Sequence, residues 1–500
     1  MNAYERAAEA LAPEHALKRV PDAAAMLEAG RPGLAVKALR AHLKSAPRDL
    51  GARFHLVDAL LRAGRPEPAL AESDALIALS PDNPVFRAQK AAALEEIEDF
   101  AGAAALWRGI VAEGEVPAEC WLRTGHALRG IGETEAAVAA YRNAIALGAG
   151  TAWWNLADLK TFRFSAEDVA AMEKALDGAA QEDRVAIHFA LGKALGDARR
   201  YEQSFAHYAK GNALQRMSVE HDPAVLGRYV ARCREAFTPE LLRTRAGCES
   251  PDPIFIVGMA RAGSTLLEQM LASHSAIEGT RELTDLSMVA RELQARLGTD
   301  YPRGIATVAP EDLRRLGERY IESTGAHRKT QRPRFLDKMG ANFAHVGLIA
   351  LLLPNAKIVD MRRHPMACGF SNFVQLFGRG QNNAYRLSDI GQLYRDYVAL
   401  MAHVDRTAPG RVHRVLYEDL VADPESQLRR LLDYLELPFE SQCLEFHKTA
   451  RVVTTASSEQ VRQPLHKDAL EQWRHYEPWL APLKAALGPV LEAYPKAPEL

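Results

Sequence analysis

The residues with the clearest chemical potential lie in residues 253–269, PIFIVGMARAGSTLLEQ. The apolar run that opens this segment is long enough for a buried strand, and the residues from Thr265 onward are typical of a helix. The loop between them, residues 258–264, carries two glycines and one arginine, Arg261. A strand–loop–helix turn of this kind directs backbone N–H groups and the positive end of a helix dipole at one point. The segment therefore predicts a binding site for a phosphate-like anion.

The loop does not fit a nucleoside triphosphate bound with magnesium. Where a Walker A motif has Gly-Lys-Ser/Thr, this chain has Ala262, Gly263 and Ser264, with no lysine. A P-loop kinase is a poor interpretation, because no convincing magnesium-binding acid accompanies the loop either.

A second pair of residues could hold another phosphate. Arg363 follows the strand-like segment AKIVDM, and Ser371 comes eight residues later inside a predicted helix. An arginine that leaves a strand and a serine on the next helix can grip one phosphate from two sides. The alternative is a surface arginine beside an ordinary helix serine. We favour the phosphate pair because the glycine-bearing loop is present.

The sequence contains no comparable pattern for the other kinds of catalytic site that we considered. The histidines form no HExxH or paired-ligand spacing, so no metal is predicted. Ser264 lies in GSTLL rather than in GxSxG, and no catalytic-triad spacing is evident. The aromatic segment WRHYEPWL near the carboxyl end is better explained by packing than by substrate stacking.

The chain that positions these residues has 500 residues, with 62 basic and 64 acidic side chains. This length predicts about two to four domains, and the balanced charge gives no indication of nucleic-acid or membrane partners. Five scattered cysteines lack disulfide or metal spacing, which fits a reducing compartment. The first residues lack an apolar signal core, and no apolar run reaches the roughly 18 residues of a membrane helix. We expect a cytoplasmic protein without a membrane span.

The amino-terminal part is rich in alanine, and small residues recur there at intervals of 34. The in-phase positions are the alanines Ala35, Ala69, Ala103 and Ala137 and the glycines Gly30, Gly64 and Gly132. Glu98 stands where a further glycine would fall. A helix–turn–helix period of 34 is that of the tetratricopeptide repeat. We predict an α-helical repeat solenoid whose concave face binds a protein or peptide. The alternative is a solenoid that only stabilises its neighbour or forms a homodimer.

Beyond about Leu226 the pattern changes to strands that alternate with helices. The predicted strands are IFIVG, AKIVDMRR and RVHRVLYEDL. Such alternation predicts a parallel sheet that binds its ligand at the carboxyl ends of the strands. We place repeats in residues 1–215, a helical linker in 216–250 and an α/β domain in 251–500.

Taken together, these motifs resemble the sulfotransferases. The segments that carry the resemblance are PIFIVGMARAGSTLLEQMLASHSAIEG, TRELTDL, FLDKMGANFAHVGLI, VDMRRHPMACGFSNFVQLF, LYEDLVADP and VRQPLHKDALEQWRHYEPWL. The chain is most similar to bacterial proteins that fuse tetratricopeptide repeats to a sulfotransferase domain related to the tyrosylprotein sulfotransferases. The resemblance implies a P-loop-like α/β domain behind the helical repeats. It also implies transfer of a sulfuryl group from 3′-phosphoadenosine 5′-phosphosulfate (PAPS) to a hydroxyl or amine, without a metal.

The resemblance assigns the donor-binding residues. The 5′-phosphosulfate would lie on the loop residues Arg261, Ala262, Gly263, Ser264 and Thr265. The family usually reads GMPRSGTTL where this chain reads GMARAGSTL, so Ala260 and Ala262 replace a proline and a serine. Losing the serine removes a hydrogen bond worth about 1.5–3 kcal/mol when made to a charged oxygen.

The rest of the nucleotide would be held by residues of later segments. Arg363 and Ser371 would bind the 3′-phosphate, which distinguishes this donor from ATP. Tyr417 in LYEDL and Arg462 in VRQPL would contact the nucleotide, with packing or solvent exposure as the alternative for each.

Catalytic roles follow from the resemblance as well. Glu282 in EGTRELTDL matches the general base, with Glu278 as its nearest rival and an ordinary helix-start glutamate as the alternative. Lys338 in FLDKMGANF, together with Arg261, would stabilise the sulfuryl oxygens. A simple ion pair with Asp337 is the alternative for this lysine.

A further catalytic serine of the family corresponds to Ser457 or Ser458. Gln463 replaces the lysine that follows that serine in the family.

We therefore predict a PAPS-dependent sulfotransferase. The alternative is a repeat scaffold whose degenerate sulfotransferase domain binds nucleotide but is inactive. The two loop alanines favour the scaffold, whereas the intact Glu282, Lys338 and Arg363 oppose it. The repeats favour a peptide or protein as acceptor.

Overall fold

The computed structural model describes residues 21–244, 246–298, 301–378, 380–449, 461, 463, 465 and 470–498. The chain divides into two compact units, residues 1–162 with 170–187 and residues 163–169 with 188–500. The first unit is helical, and the second contains a parallel β-sheet. The predicted fold class is thus confirmed, while the domain limits at residues 215 and 250 stay predictions. No helix in the described ranges is long and apolar enough to cross a membrane.

The first unit consists of successive pairs of α-helices. Its helices are α1 (Pro21–Glu28), α2 (Pro32–Ser45), α3 (Leu50–Arg62), α4 (Pro66–Leu79), α5 (Pro84–Glu96), α6 (Phe100–Ala112), α7 (Ala118–Gly130), α8 (Thr134–Ala146) and α9 (Thr151–Asp158). Helices α2, α4, α6 and α8 start 34 residues apart, as the sequence period predicts. The in-phase alanines on these four helices are each 0% exposed. Small side chains at these positions allow neighbouring helices to approach closely.

The turns before α2, α4, α6 and α8 use a left-handed backbone conformation. Gly30, Gly64 and Gly132 have φ values of 68°, 68° and 80°, and Glu98 has a φ of 64° at the corresponding place. Glycine adopts this conformation without steric cost, whereas a residue with a Cβ atom does not. Glu98 therefore occupies a glycine conformation, which explains its place in the 34-residue pattern.

Two helices, α10 (Ala166–Ala175) and α11 (Gln181–Asp197), contain the points at which the chain passes between the units. The second unit continues with α12 (Tyr201–Met217), α13 (Ala224–Ala236) and α14 (Pro239–Leu242). Two aromatic side chains of α12 stack on the aromatic segment near the carboxyl end. Tyr201 lies 4.6 Å from the His475 ring, and Phe205 lies 5.7 Å from the Trp479 ring. That segment thus serves packing.

The described part of the second unit contains five parallel strands. They are β1 (Pro253–Val257), β2 (Ile277–Gly279), β3 (Arg334–Asp337), β4 (Lys357–Arg362) and β5 (Val412–Leu416). Their order in the sheet is β2-β3-β1-β4-β5. Every residue of β1 is buried, as expected for a central strand covered on both faces. The sequence predicted β1, β4 and β5 but not β2 and β3.

Helices follow or connect the strands. They are α15 (Ser264–Ala272), α16 (Asp285–Leu297), α17 (Pro310–Gly325), α18 (Val346–Leu352), α19 (Pro365–Phe373), α20 (Leu387–Thr407), α21 (Tyr417–Ala422), α22 (Pro424–Leu435), α23 (Ala481–Leu487) and α24 (Pro489–Ala493). Short 3₁₀ helices span Arg303–Thr307, Gly340–His345, Asn382–Tyr385, Ser441–Lys448 and Gln472–Trp479. Strand β1 lies between β3 and β4, so the strand order reverses beside it. Ligands of open α/β sheets bind at such a point, outside the carboxyl ends of the strands.

Candidate active site

The loop after β1, residues 258–264 (the anion loop), is shaped by its two glycines. Gly258 and Gly263 have φ values of 142° and 104°. A Cβ atom on Gly258 would lie 2.3 Å from the Met361 carbonyl oxygen, and one on Gly263 would lie 2.5 Å from the Tyr417 ring. Helix α15 starts at the last residue of this loop, Ser264. The loop and the helix N-terminus therefore have the form expected of an anion cradle.

Arg261, at the tip of the anion loop, also has a left-handed backbone, with a φ of 63°. Such a conformation is rare for a residue with a side chain and tends to occur at functional sites. The next residue, Ala262, is 1% exposed, and its N–H donates to the Met259 carbonyl over 3.3 Å. The alanine that departs from the family's serine is thus enclosed within the loop.

Two predicted anion-binding segments meet at Arg261. Its Nε donates to Oγ of Ser371, on α19, over 3.2 Å. Its carbonyl oxygen accepts from a guanidinium nitrogen of Arg363 at 3.2 Å. Arg363 follows β4 directly and is 7% exposed. The structure therefore brings together Arg261, from the loop predicted to hold one anionic group, and Arg363 and Ser371, the pair predicted to hold another phosphate.

Tyr417 is the first residue of α21, directly after β5. The Arg363 guanidinium lies over its ring at 4.9 Å, a cation–π contact. Because the ring also packs against Gly263, Tyr417 orients Arg363 and contacts the anion loop at once.

The neighbouring arginine, Arg362, has a different environment. It is 2% exposed, and its guanidinium donates to Asp360 over 2.8 Å. Arg414 and the Tyr397 hydroxyl donate to the same carboxylate. Burial alone would raise the pKa of Asp360, but the two guanidiniums and the hydroxyl hold that pKa below its usual value. Arg362 thus belongs to a buried ion network of the sheet rather than to the anion site.

The predicted base and the predicted lysine form an ion pair. Lys338 follows β3 directly and is 2% exposed, and its Nζ lies 2.6 Å from Oε1 of Glu282. The Glu282 side chain is 54% exposed, in the segment between β2 and α16. Thr284, the residue before α16, makes no side-chain capping bond. Glu282 therefore faces both solvent and the lysine, a position suited to proton transfer.

Asp337 is occupied elsewhere. Its carboxylate accepts from the Tyr320 hydroxyl at 2.7 Å and from the Asn342 amide at 3.3 Å. Burial raises the pKa of Asp337 to about 7, although the Tyr320 hydrogen bond opposes this rise. The carboxylate that pairs with Lys338 at hydrogen-bonding distance is thus that of Glu282.

Glu278, the rival for the role of base, is 4% exposed and lies on β2. Its Oε1 accepts from the backbone N–H of Lys329 and, at 2.6 Å, from that of Thr330. Burial alone would raise the pKa of Glu278, but these backbone donors hold it below its usual value. Glu278 therefore holds the backbone of Lys329 and Thr330 in place before β3, and its contacts give no indication of a role in proton transfer.

Some predicted residues lie outside the described ranges. These are Arg462, Ser457 and Ser458. Among the residues that are described, no group of three or more histidine, cysteine or acidic side chains could hold a metal ion.

The sequence analysis did not identify one buried acidic residue that lies beside the site. Glu268, on α15, is 2% exposed, and its Oε2 lies 3.7 Å from Nζ of Lys338. In the sequence, a glutamate inside a helix reads as a solvent-facing residue, so nothing singled it out. The available signal was its position one turn after Ser264, on the same helix face.

Residues 253–441 match the model of the sulfotransferase family. This range contains the anion loop and all five strands of the sheet. The second unit thus contains the segment that matches this family model.

Two curated relatives and one solved structure illustrate the similarity. An uncharacterized protein of Aquifex aeolicus (strain VF5) is 31% identical over 371 residues, which cover 72% of this chain and 48% of that protein. The chain thus spans about half the length of this relative. Protein-tyrosine sulfotransferase A of Caenorhabditis elegans is 26% identical over 235 residues, which cover 44% of this chain and 60% of that protein. The sulfotransferase domain from the Synechococcus PCC 7002 olefin synthase is 22% identical with a TM-score of 0.33, covering 45% of this chain and 88% of that domain.

Proposed function

We propose that this chain, whose second unit carries the sulfotransferase-family segment, transfers a sulfuryl group from PAPS to an acceptor hydroxyl or amine. The observation that carries the proposal is the convergence of its chemical groups at one edge of the sheet. The anion loop follows β1, Lys338 follows β3, Arg363 follows β4 and Tyr417 follows β5. Glu282 joins them through its contact with Lys338.

The residues at this edge fit an anionic donor. Arg261, Arg363 and Lys338 supply three cations, and Ser264, Thr265 and Ser371 supply hydroxyl groups. Guanidiniums and hydroxyls suit phosphate and sulfate oxygens without help from a metal. The glycines of the anion loop let the Met361 carbonyl and the Tyr417 ring approach its backbone closely, which fixes the shape of the loop. We assign the anion loop to the 5′-phosphosulfate and the Arg363–Ser371 pair to the 3′-phosphate.

PAPS supplies a sulfuryl group on an adenosine 3′,5′-bisphosphate leaving group. In the proposed step, Glu282 accepts the proton of the acceptor O–H or N–H while the acceptor atom forms a bond to sulfur. The bond between sulfur and the phosphate oxygen breaks, and the bisphosphate leaves with that electron pair. Lys338 and Arg261 stabilise the negative charge on the sulfuryl and bridging oxygens. Most of the rate enhancement comes from positioning and electrostatics.

The proposed acceptor is a peptide or protein. The name of the Caenorhabditis elegans relative specifies protein tyrosine. The helical repeats of the first unit supply the kind of surface with which solenoids bind extended partners. The half-exposed Glu282 carboxylate leaves the predicted base accessible to a large acceptor.

Transfer of radiolabelled sulfate from PAPS to tyrosine-containing peptides tests this function. The expected result is label on a tyrosine peptide and none on the same peptide with phenylalanine. Label on neither the peptides nor a panel of saccharide, lipid and small-molecule acceptors would contradict the enzymatic function. If such an inactive chain still bound adenosine 3′,5′-bisphosphate, the result would favour the alternative function, a repeat scaffold whose degenerate domain binds nucleotide.

A further inference from the structure

Glu268 is a buried acid close to a site that should bind anions. It lies on α15, four residues after Ser264, and is 2% exposed. Residues four apart share one face of a helix, so Glu268 lies one turn behind the hydroxyl of Ser264. A buried carboxylate is costly unless it is paired. Near an anionic ligand it would also repel that ligand, so its charge must be neutralised within the protein.

The neutralising partner is Lys338. Its Nζ lies 3.7 Å from Oε2 of Glu268 and 2.6 Å from Oε1 of Glu282. Lys338 and Glu268 are both almost fully buried, whereas Glu282 is half exposed. The ammonium thus lies between one enclosed carboxylate and one that an acceptor could reach.

These two carboxylates differ in what the proposed reaction does to them. When Glu282 accepts the acceptor's proton, it becomes neutral and no longer balances Lys338. Glu268 takes no part in that proton transfer, so its carboxylate still lies 3.7 Å from the Lys338 ammonium and can hold it in place.

We propose that Glu268 is a positioning residue that holds the Lys338 ammonium in place during sulfuryl transfer, an inference that rests on the proposed function. Glu268 acts on the reaction only through Lys338. Of these two residues only Lys338 meets the transferring group, so the loss of Glu268 slows transfer more than it weakens binding of the bisphosphate product.

A double-mutant cycle tests this inference in the full-length chain. Glu268→Gln keeps the shape of the side chain and removes its charge. In the wild-type background it should lower kcat at least about tenfold. It should change the Kd of adenosine 3′,5′-bisphosphate less than about threefold. In the Lys338→Met background it should lower kcat no further, because the residue through which it acts is already gone.

Two further variants separate positioning from folding. Glu268→Asp restores a charge and should recover part of the lost kcat. Gln269→Met changes the neighbouring buried side chain of α15 and should leave kcat near the wild-type value. If Glu268→Gln lowers kcat equally in both backgrounds, or does not lower it in the wild type, the inference is wrong while the sulfotransferase function stands. If the wild-type chain transfers no sulfate, the proposed function itself is wrong, and the inference falls with it.

Discussion

The Nε atom of Arg261 donates to Oγ of Ser371 over 3.2 Å, although the two residues are 110 positions apart in the chain. Arg261 belongs to the anion loop after β1, and Ser371 belongs to α19 after β4. Adjacent parallel strands place both residues at the same edge of the sheet. The segment proposed for the 5′-phosphosulfate and the segment proposed for the 3′-phosphate are thus parts of one site.

Arg362 and Arg363 are adjacent in the chain, but their substitutions should affect different properties of the protein. Arg363→Met should abolish measurable binding of adenosine 3′,5′-bisphosphate and change the free energy of unfolding by less than about 1 kcal/mol. Arg362→Met removes one of the two guanidiniums from the buried Asp360, so we expect a loss of stability of about 3 kcal/mol. Calorimetric titration and chemical denaturation measure the two quantities. Equal loss of binding and stability in both variants would contradict the different roles.

Glu282 and Glu278 form a second matched pair. Glu282→Gln should lower kcat about 10²–10⁴-fold, because the group proposed to accept the proton is removed. It should change bisphosphate affinity little, because the residues proposed to hold the two phosphates are unchanged. Glu278→Gln weakens two hydrogen bonds to backbone N–H groups and should cost about 1–3 kcal/mol of stability, with kcat retained.

The pH dependence of stability distinguishes Glu278 further. Its pKa is held below the usual value in the folded chain, so its contribution is present above the unfolded pKa. That contribution is lost as the pH falls through the folded pKa. Denaturation of the wild type and Glu278→Gln at several pH values checks this. A difference that does not shrink in acid would count against the proposed role.

The raised pKa of Asp337 predicts that its contribution to stability falls as the pH rises, which is the opposite of the trend for Glu278. Burial raises its pKa from 3.8 to about 7 in the folded chain. The folded state then holds the proton more tightly, so this contribution to stability is complete below pH 3.8 and declines until about pH 7. Between these two pKa values the slope should be about −1.4 kcal/mol per pH unit for this group.

The variant Asp337→Asn keeps an acceptor for the Tyr320 hydroxyl and removes the titration. Its stability relative to the wild type should therefore rise as the pH increases from 4 towards 7. The charged and titratable groups that act on Asp337 are Tyr320, Asp285, Lys338 and Glu268. A stability difference that is constant over this range would show that Asp337 does not titrate there.

The turn positions of the first unit give a prediction that does not involve the active site. A Cβ atom on Gly64 would meet nothing within 4 Å, so the cost of Gly64→Ala is that of its positive φ alone. We expect Gly64→Ala to destabilise the helical unit by about 1 kcal/mol. Glu98→Gly should stabilise it by a similar amount, about 1 kcal/mol. Hydrogen exchange of the first unit in the full chain measures both, and effects of the reverse sign would refute the interpretation of the 34-residue pattern.

Several residues of the candidate site could be predicted from the sequence, because they come directly after apolar runs that are typical of buried strands. The apolar runs before Gly258 and Arg363 identify β1 and β4, and parallel topology places their ends together. The repeat period likewise predicted where α2, α4, α6 and α8 begin, because one small residue is needed at each close contact of helices.

The sequence was less informative for short strands and buried charges. Strands β2 and β3 have only three and four residues, too few for a clear period. Their positions, which place Glu282 and Lys338 in contact, come from pairing with neighbouring strands rather than from local preference. The buried charges around Arg362 and Glu268 were not predicted, because Arg414, which shares Asp360 with Arg362, and Lys338, which lies beside Glu268, become their neighbours only in the folded protein.

A titration of the wild-type chain with adenosine 3′,5′-bisphosphate and, in parallel, with ATP tests the claim that this site holds PAPS. The bisphosphate carries the 3′-phosphate that Arg363 and Ser371 are proposed to hold, and ATP lacks it. We predict a Kd on the order of micromolar for the bisphosphate, typical of substrate-level affinity, and binding of ATP at least about a hundredfold weaker. Binding of ATP as tight as that of the bisphosphate, or no binding of the bisphosphate, would contradict the claim.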